Sequence, residues 1–69
     1  MTLEEYRRQL GLSQSELARI AGLTAVTVSR AEAGENISGS TARAICQALS
    51  KELGRTIQIS DVTGWNVKV

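Results

Sequence analysis

Helix start and stop signals recur through the first half of the chain at a spacing that leaves room only for short helices joined by tight turns. Thr2 with Glu5, and Ser13 with Glu16, each have the pattern of a capping box. In that pattern a hydroxyl at the cap and a carboxylate three residues on satisfy first-turn amides reciprocally. Thr24 is a cap residue of the same kind. Gly11, Gly22 and Gly34 close the three segments, because glycine takes the left-handed conformation that ends a helix without a Cβ clash. A first helix is therefore expected from Leu3 to about Leu10, with Leu3, Tyr6, Arg7 and Leu10 on one face. A short second helix turns Leu17, Ala18 and Ala21 inward, and a third, from Thr24 to Ala33, presents Val28 and Ala31 to the same core.

Glu35 to Gly39 reads as a polar loop. Beyond it, Ala42, Ile45, Cys46, Leu49 and Leu53 form one stripe at helical spacing, predicting a fourth helix that Ser38 or Ser40 caps and Gly54 ends. After Gly54 the period changes. Thr56, Ile57, Gln58, Ile59 and Ser60 alternate polar and apolar as a strand does, and Asn66, Val67, Lys68 and Val69 do so again. Between them, Ser60-Asp61-Val62 could open a fifth short helix. The chain thus divides into a helical unit, 1-54, and an extension, 55-69, read as a short helix plus an extended segment suited to dimerisation.

A chain of 69 residues buries only about 60% of the surface it exposes when unfolded, so the fold needs efficient helix packing or a second subunit. With 42% apolar and 22% charged residues and no proline, the composition suits a compact fold. Polar residues interrupt every apolar stretch, so neither a membrane span nor a signal-peptide core is expected, and the expected location is the cytoplasm. The single cysteine, Cys46, excludes an internal disulfide, and without histidine a conventional zinc site lacks ligands. No metal or other cofactor is expected. With no histidine as general base and no recognisable nucleophile, the chain reads as a binder and not an enzyme. Eight Lys and Arg against seven Asp and Glu leave a net charge of +1, so affinity for an anion would depend on where the cations stand.

Gln14 to Ala33, taken as a unit, is two short helices joined by Ala21-Gly22-Leu23. Ala18 is small because the next helix crosses close above it, Gly22 takes the turn, and Leu17, Ala21, Val28 and Ala31 seal the space between the helices. This is the residue code of a helix-turn-helix. Leu12-Ser13-Gln14-Ser15-Glu16-Leu17-Ala18, then Ala21-Gly22, then Thr24 to Gly34 with Glu32, resemble the phage repressor and Cro-like helix-turn-helix family, the xenobiotic response element type of regulator. The resemblance covers roughly residues 3 to 53. It implies an all-α, lambda-repressor-like bundle of four to five short helices, to which the alternating residues after Gly54 could add a short β-like C-terminal tail. It also implies a bacterial or phage-encoded transcription regulator that binds double-stranded operator DNA, with a homodimer on an inverted repeat.

By position, the resemblance makes Thr24 to Ala33 the recognition helix, entering the major groove by its N-terminal residues. Thr24, Ala25, Val26, Thr27, Ser29 and Arg30 then face DNA. Ala25 and Val26 suit a thymine methyl, and Arg30 suits a bidentate contact to guanine. Thr27 and Ser29 can go to base or phosphate. Gln14, in the first turn of the second helix, is a phosphate clamp. Asn36, Ser40, Thr41 and Arg43 would hold the DNA backbone on the other flank, where Glu35 departs from the family by adding a negative charge. Arg7 and Glu32 stand where family members place a buried ion pair. Cys46 is expected to be a buried, inert thiol, and Ile20 to point outward. Trp65 is equally a lid on the core or an interface anchor, with Val67 and Val69 beside it. Two rival readings keep the fold: an antitoxin-like protein that binds a partner protein and its own promoter, and a helix-turn-helix used only for protein interaction. An exposed apolar surface of Ile20, Trp65 and residues 67–69 would favour either.

Overall fold

Helices begin and end where their capping residues stand in the computed structural model, which describes residues 1–68. The order is α1 (Leu3–Gln9), α2 (Gln14–Ala21), α3 (Ala25–Glu32), β1 (Asn36–Ser38), α4 (Gly39–Leu53), a single 3-10 turn (Ile59–Asp61) and β2 (Asn66–Lys68). Both capping boxes form. The Thr2 hydroxyl accepts from the Glu5 amide at 3.2 Å while the Glu5 carboxylate accepts from the Thr2 amide at 2.8 Å. Ser13 and Glu16 repeat the exchange at 3.1 and 2.8 Å. These amide bonds hold the Glu5 and Glu16 carboxyls below the usual carboxylate range.

The turn between α2 and α3 rests on Gly22, whose φ of +73° lets the Leu23 amide reach back to the Ala18 carbonyl at 2.7 Å. Leu17, Ala18, Val28 and Ala31 are buried where the two helices meet. α4 packs beneath them through Ala42, Ile45 and Leu49. Ala48 is buried too, so the inner face of α4 is wider than the stripe read from periodicity.

Residues 35–39 are not the polar loop expected of them. Asn36–Ser38 forms β1 and pairs in parallel with β2, with Asn36 opposite Asn66, Ile37 opposite Val67 and Ser38 opposite Lys68. The strand exists because its partner arrives from the far end of the chain, which no local pattern records. Ile37 is buried and Val67 half-buried, both packed into the core, while the four polar residues of the pair face solvent. Thr63 fastens the same segment to the N-terminus, its amide donating to the Met1 carbonyl at 2.9 Å beside a bridge to Thr2.

Thr56 to Ser60, in contrast, alternates like a strand and is not one. Among the described residues no neighbouring strand meets it, and side chains take two of its amides. The Ile57 amide donates to the Ser50 hydroxyl at 2.8 Å, which itself donates to the Cys46 carbonyl at 2.7 Å. The Gln58 amide donates to the Asp61 carboxylate at 2.9 Å, which starts the 3-10 turn one residue before the expected Ser60 and in place of a longer helix. Ile57 and Val62 join the same core as Leu3, Leu17 and Ile45. Trp65 is half-buried against that core, and Val69 lies outside the described residues.

Cys46 is buried on α4, and burial, with a smaller push from the Asp61 charge, raises its thiol to about 11 from an ordinary 9.0. The neutral thiol is the form the fold favours, so its contribution is complete below about pH 9 and is lost as pH rises through 11. Wild type should therefore lose more stability across that interval than Cys46→Ala does. Urea denaturation of both at stepped pH checks this, and parallel curves would refute it.

Candidate nucleic-acid interface

The outward face of α3 is set by what its inner face buries. Val28 and Ala31 are wholly enclosed, which leaves Val26, Ser29 and Arg30 in solvent and Ala25 and Thr27 half-exposed. Val26, in the first turn, is 59% exposed, the most open of the large apolar side chains among the described residues. Thr24 is first a cap: its hydroxyl accepts from the Thr27 amide at 3.3 Å and lies 3.0 Å from the Thr27 hydroxyl. Arg30 takes part in neither of the ion pairs formed among the described residues, Arg7–Glu32 and Arg8–Glu4.

What fixes α3 is a latch at its C-terminal end. Arg7 Nε donates to Glu32 Oε2 at 2.6 Å and Arg7 Nη2 to Glu32 Oε1 at 3.1 Å, a two-pronged pair. Arg7 Nη1 donates in addition to the Leu12 carbonyl at 2.9 Å, in the turn before α2. The Arg7 and Glu32 side chains are only 13% and 8% exposed. The hydrogen bonds Arg7 donates to Glu32 outweigh the cost of burial and raise the Arg7 pKa further. Gln14 completes the latch, its Nε2 donating to Glu32 Oε1 at 3.1 Å. That contact was not foreseen from sequence. It commits one amide hydrogen of Gln14, whose side chain is half-buried at the start of α2.

On the other flank, Ser38 and not Ser40 caps α4, accepting from the Thr41 amide at 3.1 Å. Ser38 Oγ also donates to the Thr41 hydroxyl at 2.9 Å and lies 3.1 Å from that of Ser40. Asn36, Ser40 and Arg43 are exposed and Thr41 half-buried, grouped around the first turns of α4. The amides of Gly39 and Ser40 precede the capped one and have no acceptor within the helix. Glu35 is exposed in the same stretch.

This is the arrangement of a helix-turn-helix, and the chain matches the family model described as helix-turn-helix over residues 3–56. It belongs to the Cro/CI-type helix-turn-helix family, a family of DNA-binding transcription regulators. No curated protein and no solved structure matches it. Among the described residues no helix is long and apolar enough to cross a membrane.

Proposed function

We propose that the chain is a sequence-specific, repressor-like regulator that acts by occupying operator DNA. In this reading α3 reads base edges in the major groove, and the first turns of α2 and α4 grip phosphates through Gln14, Asn36, Ser40, Thr41 and Arg43. Two copies occupy an inverted repeat, and the place of action is the cytoplasm. The carrying observation is Val26. A large aliphatic side chain 59% exposed, in the first turn of a helix pinned at its other end, suits apolar contact with a thymine methyl. Arg30, one turn on, supplies the hydrogen bonds that such a contact lacks. Work by occupancy also fits a chain without histidine. The protein-partner readings called for an exposed apolar surface of Ile20, Trp65 and residues 67–69; Ile20 is exposed at 38%, whereas Trp65 and Val67 pack half-buried against the core and do not extend that surface.

Selection from a random DNA pool tests the reading. An inverted repeat whose half-site centres lie about one DNA turn apart is the expected product, and a pool that shows no enrichment would overturn it. On the selected site, Arg30→Ala should cost about 1–3 kcal/mol and relax base choice at one position per half-site. An unchanged ranking of single-base variants would remove Arg30 from the reading surface.

A further inference from the structure

The DNA flank formed by residues 35–43 has a charge problem. Glu35 is exposed there, Asn36, Ser38, Ser40 and Thr41 are neutral, and along the sequence only Arg43 offers a positive charge. The strand pairing alters that balance. Residues opposite one another in a parallel pair point to the same side of the sheet. Since Ile37 and Val67 turn inward, Asn36, Ser38, Asn66 and Lys68 share the outer side, and all four are exposed. Lys68 stands in register with Ser38, the cap of α4. Its carbonyl lies so close that a Cβ on Gly39 would sit 3.8 Å away.

We infer that β2 is a DNA-contacting element, in which Lys68, assisted by Asn66, holds the sugar-phosphate backbone beside the first turn of α4. The inference rests on the DNA-binding reading above. Electrostatics favours it independently of family. A helix N-terminus carries a partial positive charge that acidic residues normally offset. The first turn of α4 has no acidic residue, and the strand brings a cation next to it. Lys68 is in neither of the ion pairs formed among the described residues. Two positive features side by side are unfavourable in the free chain and are relieved when an anion lies across both. A phosphate backbone already gripped by Ser40, Thr41 and Arg43 supplies that anion. The long flexible stem of lysine, ending in a hydrated point charge, suits a phosphate contact and not base readout.

The test uses the full chain on its selected operator and on unrelated duplexes, with affinity measured across a salt series. Lys68→Gln should weaken binding to all sequences alike, leave the ranking of operator variants intact, and reduce the slope of log affinity against log salt by about 0.9, one phosphate contact. The wild-type advantage should accordingly shrink by about threefold between ~50 and ~200 mM salt. Lys68→Arg should retain the wild-type slope. Lys51→Gln, near the other end of α4, should also leave it unchanged. Operator binding by Lys68→Gln with wild-type affinity and slope would overturn the inference while leaving the DNA-binding reading intact. A loss shared by Lys68→Arg, or one accompanied by a lower thermal midpoint, would mark Lys68 as structural and overturn it too. Wild type that binds no duplex would sink the functional reading and this inference with it.

Discussion

A chain ending at Gly54 is expected to be largely unfolded at 25 °C without denaturant. The segment it lacks contributes Ile57 and Val62, 3% and 4% exposed, and partly buries Ile59, Trp65 and Val67 against the same core. Full burial of one such side chain stabilises by about 1.5–3 kcal/mol. The two buried residues alone therefore account for about 3–6 kcal/mol, against a total of about 3–10 kcal/mol for a domain of this size. Truncation also strips Ile37 of its strand partner and opens Cys46 to water. Circular dichroism and urea denaturation of residues 1–54 measure the effect. A cooperative transition with a midpoint close to that of the full chain would show that the helices stand alone. Ile57→Ala in the intact chain provides the graded version, with an expected cost of about 2–5 kcal/mol. A segment packed into the core of its own copy can pair with another copy only by exchange, taking the same core position there. A twofold contact made without exchange would use surfaces outside β2's pairing with β1.

The helical half of the fold was open to local reading because its signals are local. A cap, in the first two cases a carboxylate three residues later, and a terminal glycine act within one turn, so Thr2 to Gly11, Ser13 to Gly22 and Thr24 to Gly34 could be delimited without knowing what they pack on. The second half depends on distant partners. Asn36-Ile37-Ser38 and Asn66-Val67-Lys68 share one pattern, polar, apolar, polar, and together they are the sheet. Three residues of alternation are too few to distinguish a strand from a loop until the two segments are set side by side. Thr56 to Ser60 shows the opposite error, since five alternating residues became extended chain and a 3-10 turn once Ser50 and Asp61 took their amides. The outward face of α3 follows from its inner face, Val28 and Ala31, and was accessible from periodicity. The seat of Gln14 on Glu32 was not, because it joins the first residue of α2 to the last of α3.

That seat makes Glu32 the position where a single substitution should do the most damage. Removing its carboxylate leaves the Arg7 guanidinium, 13% exposed, with only the Leu12 carbonyl, and releases Gln14 as well. An enclosed charge stripped of its partner costs on the order of 3–5 kcal/mol, enough to unfold much of a chain of this size. Arg7→Ala should cost less than Glu32→Ala, because the carboxylate left behind keeps the Gln14 amide as a donor. Adding Arg7→Ala to Glu32→Ala should recover part of the loss, since no unpaired ion then remains. Denaturant unfolding of wild type, both single variants and the double variant gives the coupling directly. Single losses that simply add would mean that the two charges stabilise the fold independently, and the latch would then not be what pins α3. Glu32→Gln separates shape from charge: it keeps an acceptor for one prong of Arg7 but sets an amide group against the other donor. Its stability should fall between wild type and Glu32→Ala, and in whatever fraction stays folded Gln14 should be less firmly placed. Operator affinity of folded Glu32→Gln should therefore drop without any change in which bases Arg30 and Val26 prefer, because the outward face of α3 is untouched. A shift in base preference would show that the latch sets the angle at which α3 enters the groove as well as its stability.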